Sequence, residues 1–184
     1  MLGLRSRLLP AMLLALALVL SGVGCVKTAQ VGSHFTVEVP GGWYSEVDKD
    51  DPDTLVLGPK DAQWVWAFYA TPLDERAEGE SLEQFGERLV EDDAEETAHE
   101  EEHDSVELTW SEASELDING LEGVTVEGEM VDSEDPDFVM GLKLVVLVSS
   151  ESLLVGFGMR FPHAGDEHDA EVDTMLRSVL QSGG

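Results

Sequence analysis

The sequence predicts a single α+β domain, and three observations predict it. Gln63–Ala70 (QWVWAFYA) places Trp64, Trp66 and Phe68 on one face and Val65, Ala67 and Tyr69 on the other, so this strand expects cover on both sides. Two stretches, opening near Ser81 and Asp166, carry apolar residues at helical spacing instead. Asn119-Gly120 between two alternating runs is a hairpin signal and points to antiparallel pairing. The 184 residues, 42% hydrophobic with four Trp, suffice for one real core and are too apolar for a disordered acidic chain.

In chain order, His34–Val39 alternates as a strand and is closed by Pro40-Gly41-Gly42, with Trp43–Val47 extending it. Asp48–Asp53 is an acidic turn around Pro52. Thr54–Gly58 is a short strand, and Pro59-Lys60-Asp61 turns the chain into Gln63–Ala70. Ser81 and Gln84 have the spacing of a capping box, in which the hydroxyl accepts from an orphan N–H and the Gln side chain reaches back. Leu82, Phe85, Leu89 and Val90 give that helix its apolar stripe. From Glu91 to Asp104 nine of fourteen residues are acidic, and like-charge i,i+4 pairs such as Glu91/Glu95 predict fraying.

Four strand segments follow: Val106–Trp110 running toward Ile118, Leu121–Met130, Phe138–Ser149 and Leu153–Phe161. In the last, Gly156 and Gly158 share a face with Leu154 and allow something to pack closely. Asp166 caps a final helix striped by Val172, Met175, Leu176, Val179 and Leu180.

Thirty-nine Asp and Glu against 10 Lys and Arg give a net charge of −29. Arg5 and Arg7 lie in the N-terminal segment, so its removal takes the charge to −31. That field repels polyanions, which excludes nucleic acid and bare anionic headgroups as partners. The single Cys excludes an intramolecular disulfide and a multi-Cys metal site.

Residues 1–25 (MLGLRSRLLPAMLLALALVLSGVGC) join two arginines, an apolar run and small residues before Cys25. The segment resembles a bacterial lipoprotein signal, although Gly22 stands where that pattern prefers Leu. The resemblance implies a signal peptide over 1–24, a lipidated Cys25, a tether over 25–33 and a folded domain over 34–182. More than one acyl chain on Cys25 gives stable anchoring. Two alternatives stay open: Gly22-Val23-Gly24 fits ordinary signal cleavage, and Leu8–Val26 is just long enough for an uncleaved anchor. All three place the domain outside the cytoplasm. Val26 is not the Asp that resembles an inner-membrane retention signal in enteric bacteria, which favours the outer membrane or outer face.

Several motifs in order resemble the PsbP/Mog1-like superfamily, in its bacterial lipoprotein branch. Phe35–Trp43 (FTVEVPGGW) resembles the family's opening strand and turn, and Ser81–Phe85 (SLEQF) the start of its first helix. Leu116–Leu121 (LDINGL) resembles its hairpin, and Met175–Val179 (MLRSV) its closing helix. The resemblance implies an antiparallel sheet with α-helices packed on both faces, an α/β/α sandwich. It also implies an accessory or binding role, with no catalytic motif and no cofactor to carry over.

His99-Glu100-Glu101-Glu102-His103 is literally H-E-x-x-H, the pattern in which i,i+4 histidines hold zinc and the Glu activates water. Its flanks are acidic and lack apolar backing, so the bland reading is a solvated helix end, with weak metal chelation by His99 and His103 as the sharper one. Acidic loops around Asp48–Asp53 and Asp132–Asp137 lack EF-hand spacing and read as solvated turns. His163 and His168 read as part of a loop leading to the helix cap. No G-x-S-x-G supports a serine nucleophile. Trp43 and Trp110 are candidates for a ligand or partner surface, set against the plainer reading of core.

The expectation is therefore a non-enzymatic, membrane-anchored envelope protein that binds a partner protein or small ligand. A second reading is a carrier holding an apolar or envelope-lipid ligand against the glycine face at Gly156 and Gly158. A third is a metal-dependent hydrolase using His99, Glu100 and His103.

Overall fold

The computed structural model describes residues 26–49, 51, 53–100, 106–133, 135–164 and 167–181. The leader, Cys25, His103 and the cap at Asp166 lie outside the described residues; of the acidic stretch expected to fray, 91–100 is helical and 101–104 lies outside them. The strands are β1 (Lys27–Val31), β2 (Phe35–Val39), β3 (Trp43–Val47), β4 (Thr54–Pro59), β5 (Trp64–Pro72), β6 (Val106–Trp110) and β7 (Ser114–Ile118). They continue as β8 (Leu121–Asp132), β9 (Val139–Val148), β10 (Ser152–Arg160) and β11 (Leu180–Gln181). Helix α1 (Leu82–Glu100) follows β5, and α2 (Glu167–Arg177) follows β10.

All strand pairs are antiparallel. The large sheet runs β3-β4-β5-β10-β9-β8-β6, with β7 also pairing β8. β8 is long enough to take β7 against its first half and β6 against its second, with Ile118 opposite Leu121 and Trp110 opposite Gly128. A small sheet, β1-β2-β11, stands apart.

Local signals act as their chemistry requires. Ser81 and Gln84 form the reciprocal capping box: the Gln84 amide donates to Ser81 Oγ at 3.2 Å, and the Ser81 amide to Gln84 Oε1 at 3.0 Å. Asn119 and Gly120 both have positive φ, 55° and 81°, as the tight β7–β8 hairpin demands. The Asn119 side-chain amide also reaches across the molecule, donating to the carbonyls of Arg177 at 2.8 Å and Val179 at 2.9 Å. Those are carbonyls left over where α2 ends, so the hairpin turn serves as a C-cap for the closing helix.

Alternate residues of the same strands feed two main clusters. One joins Trp64, Trp66, Phe68, Val145, Leu147 and Leu154 to Val172, Met175 and Leu176 of α2 and to Phe35, Val37 and Val39 of β2. The other joins Tyr69, Val124, Val126, Leu144, Val146, Leu153, Val155 and Phe157 to Phe85, Leu89 and Val90 of α1. Each fully buried Phe or Leu stabilises the fold by about 1.5–3 kcal/mol.

One expectation is corrected here. Lys27–Val31, read as tether, is a strand: its alternation is weak, but β2 supplies the partner and buries Val31. Strands dominate the architecture, two α-helices are described, and the first cluster is closed jointly by α2 and the small sheet. Residues 27–39 fold back as a hairpin whose inward residues Val31, Phe35, Val37 and Val39 join that cluster.

Candidate binding groove

The glycine face of β10 is filled by aromatic rings. Gly156 pairs with Phe68 and Gly158 with Trp66. A Cβ on Gly156 would sit 2.4 Å from Phe68 Cε1, and one on Gly158 would sit 2.5 Å from Trp66 Cε2 and Cζ2. Trp64, Trp66 and Phe68 form a stacked ladder, with centroids 6.0 and 5.4 Å apart and interplanar angles of 17° and 11°. The rings lie over backbone that only glycine leaves bare. The room that a carrier would need against Gly156 and Gly158 is thus already occupied.

Beyond the ladder the same sheet face opens. Successive pairings set Trp64, Arg160, Gly141, Glu129 and Thr109 in one line across β5, β10, β9, β8 and β6. Trp66, Gly158, Lys143 and Glu127 form the adjacent line, which Ser111 extends by donating its amide to the Glu127 carbonyl at 2.8 Å. Together with Asp169, Val172 and Asp173 of α2, these strands line a groove of about 630 Å³.

The groove holds two half-buried cations. Lys143 Nζ lies 3.0 Å from Glu127 Oε1. Arg160 lies 3.4 Å from Asp169 Oδ2 and donates to the Ala164 carbonyl at 3.2 Å. The Trp64 indole N–H donates to Asp169 Oδ1 at 3.2 Å, which fixes this carboxylate between indole and guanidinium. Glu129 and Asp173 are exposed on the lining and make no ion pair among the described residues.

On the same turn of α2, a second junction pins the helix to the sheet. Glu171 Oε2 accepts from the Trp43 indole at 2.8 Å and lies 2.8 Å from His168 Nδ1. His168 Nε2 lies 3.2 Å from Asp61 Oδ2 in the β4–β5 turn. Burial alone lowers the His168 pKa, but hydrogen bonds to Glu171 and Asp61, with their charges, outweigh it and raise the group above its ordinary value. An imidazole with a carboxylate at each nitrogen donates to both only when protonated, so this setting favours the imidazolium. Trp43 meets the ring edge-on, with centroids 6.3 Å apart.

Trp43 is buried in the first cluster and committed to Glu171. Trp110 is half-buried, packs against Phe157 at a centroid distance of 6.2 Å, and borders the groove from β6. His99 and Glu100 end the backbone of α1, and with His103 undescribed the H-E-x-x-H motif falls outside the described side chains. Among the described residues no group of three or more His, Cys, Asp or Glu is arranged to hold a metal ion. In the first acidic loop Asp51 Oδ2 accepts from Thr54 Oγ1 at 3.0 Å, a local turn bond. No described helix is long and apolar enough to cross a membrane.

Lys143, Arg160 and Asp169 belong to no local motif of this site, and His168 lies in the first turn of α2 rather than in the loop that its sequence suggests. A usable signal existed: Arg160 and Lys143 are two of only eight cations after the leader, and both stand on strands with otherwise apolar alternation.

No protein-family model and no curated protein matches the sequence. Solved structures do. Cyanobacterial PsbP (CyanoP) from Synechocystis sp. PCC 6803 superimposes with a TM-score of 0.59 at 15% identity, covering 90% of this chain and 99% of that one. The Saccharomyces cerevisiae Ran-binding protein Mog1p superimposes with a TM-score of 0.52 at 13% identity, covering 85% and 96%. At such identities the likeness establishes the fold: the chain has the PsbP/Mog1-like architecture, as its motifs suggested.

Proposed function

We propose that the chain is a non-catalytic binding protein of the bacterial cell envelope, held at a membrane through acyl chains on Cys25, whose folded domain engages a partner protein through the groove across the large sheet. The observation that carries this reading is the contrast on one sheet face. The ladder seals the interior over Gly156 and Gly158, while a polar groove stays accessible beside it. A filled interior disfavours the carrier of an apolar ligand, and an accessible, charged groove suits a macromolecular partner. The leader motif supports the anchor and the extracytoplasmic address. The description of Mog1p as a Ran-binding protein supports protein binding as a role that this architecture accommodates. Separate clusters around α1 and α2 support burial on two faces of the sheet, the layered arrangement expected of this fold.

The test is a capture from native membranes with the full-length chain, followed by mass spectrometry of bound proteins and lipids. Metabolic labelling with a radiolabelled fatty acid runs alongside it. The expected outcome is label on the wild type, no label on Cys25→Ser, and a stoichiometric protein partner. Label on Cys25→Ser would remove the anchor, and recovery of lipid with no protein would favour the carrier.

A further inference from the structure

The charges lining the groove are unbalanced, and the imbalance specifies what it takes. Glu127 and Asp169 neutralise Lys143 and Arg160 at 3.0 and 3.4 Å. Glu129 and Asp173 line the same groove, exposed and without an ion-pair partner among the described residues. Four carboxylates against two cations leave a local charge of −2, inside a chain of net charge −29. An anion entering would have to displace two formed ion pairs against a repulsive field. An apolar ligand would strand six charged groups beneath it. A cationic group finds two carboxylates that need give up no existing ion pair.

The dimensions select a segment over a single small cation. From β5 to β6 the groove crosses four inter-strand steps, about 19 Å at about 4.8 Å each. An extended chain covers that distance in about six residues at about 3.3 Å apiece. Thr109 and Ser111 at its far end belong to β6, the last strand in the sheet order, and its immediate continuation.

We propose that this groove receives an extended, Lys- or Arg-bearing segment of a partner protein, with Glu129 and Asp173 taking its basic side chains. The proposal deepens the binding role advanced above and rests on it.

The experiment uses the full-length chain in non-ionic detergent and a fluorescein-labelled probe peptide, Lys-Thr-Lys-Val-Lys-Thr, followed by anisotropy. A Glu-for-Lys peptide and spermidine serve as comparison ligands. The expected result is saturable binding of the Lys peptide, none of the Glu peptide, and affinity reduced about tenfold or more in Glu129→Lys/Asp173→Lys. The control Asp74→Lys/Glu115→Lys changes net charge by the same amount at exposed sites outside the groove lining. It should stay within about twofold of wild type. All four positions are exposed, and near-ultraviolet circular dichroism of the tryptophans confirms that each variant is folded. Equal weakening by both double variants would reduce the effect to the overall field and overturn the site. Failure of the Lys peptide to bind would overturn it directly, and displacement of the peptide by an equal concentration of spermidine would replace a segment site with a small-cation site. Membrane capture repeated with Glu129→Lys/Asp173→Lys separates the two levels. A partner retained undiminished sinks the groove assignment and leaves the binding role standing; no partner with the wild type sinks the role itself.

Discussion

Gly158 and Gly141 sit on adjacent strands of one sheet, each opposite a cation on the partner strand: Gly158 pairs with Lys143, and Gly141 with Arg160. Their surroundings are opposite. A Cβ on Gly158 would collide with Trp66 at 2.5 Å, whereas one on Gly141 would meet only Arg160 Cβ at 3.5 Å and Cδ at 3.9 Å. The same residue type therefore does two jobs. At Gly158 the missing side chain admits an indole that seals the interior, and at Gly141 it leaves the groove floor low. What differs is the neighbouring strand: β5 supplies Trp66 and Phe68 beside the first pair of glycines, and its Trp64 is drawn instead toward α2 by Asp169.

The comparison is tested most directly by adding a side chain at each glycine. Gly158→Val should destabilise by about 3 kcal/mol or more, because the indole cannot retreat from a position that is fully buried. Gly141→Val should stay within about 0.5 kcal/mol, since its nearest neighbour is the movable stem of an arginine. Urea midpoints of the two variants decide it, and equal losses would mean that the two ends of this face are packed alike. A double-mutant cycle sharpens the same point. Trp66→Leu alone opens space and should cost about 2–4 kcal/mol. Combined with Gly158→Val, the total should fall short of the sum by about 1 kcal/mol or more, because each change relieves the other.

A next smaller effect is expected at the turn that caps α2. Asn119→Ala removes two hydrogen bonds where α2 ends and puts at positive φ a residue that tolerates it less well than Asn, a loss of about 2 kcal/mol. Asn119→Gly keeps the backbone permissive and loses only the amide, so it should retain about half of that. If the two variants were equally damaged, the hydrogen bonds would account for the whole effect.

These residues also show what a sequence yields and what it hides. The capping box at Ser81 and Gln84, the Asn119-Gly120 turn and the two-faced alternation of Trp64–Tyr69 are short-range patterns, and each appears in the structure as read. β1 escaped because VKTAQVGS alternates too weakly to declare a strand without its partner. The Asn119 motif was legible as a turn but not as a cap for a helix more than fifty residues away. The groove escaped for the same reason: Trp64, Arg160, Lys143 and Asp169 become neighbours only through strand register and the docking of α2. The bonds from Trp43 to Glu171 and from His168 to Asp61 span more than a hundred residues each. No local pattern announces such pairs, so a histidine ahead of a helix stripe read as loop.

His168 gives the smallest of these effects and the one whose sign is least intuitive. In an acidic protein the first thought is that stability is lost as carboxylates protonate, but this histidine acts in the other direction. Among the described residues the groups that face it are Glu171 on its own helix and Asp61 from the β4–β5 turn, and both stabilise the charged ring. Its pKa in the folded chain is raised above the value near 6.5 that it has when unfolded. The folded state therefore binds the proton more tightly, and this contribution is fully present below about pH 6.5. It fades as pH climbs through the higher folded value. His168→Gln keeps a polar side chain without the titration, and general repulsion within the acidic chain is shared by both proteins. The urea midpoint of wild type should exceed that of His168→Gln by the most at pH 6, and the gap should narrow steadily by pH 9. A gap that widened on the alkaline side would show the ring to be neutral in the folded chain, with Glu171 held by the Trp43 indole alone.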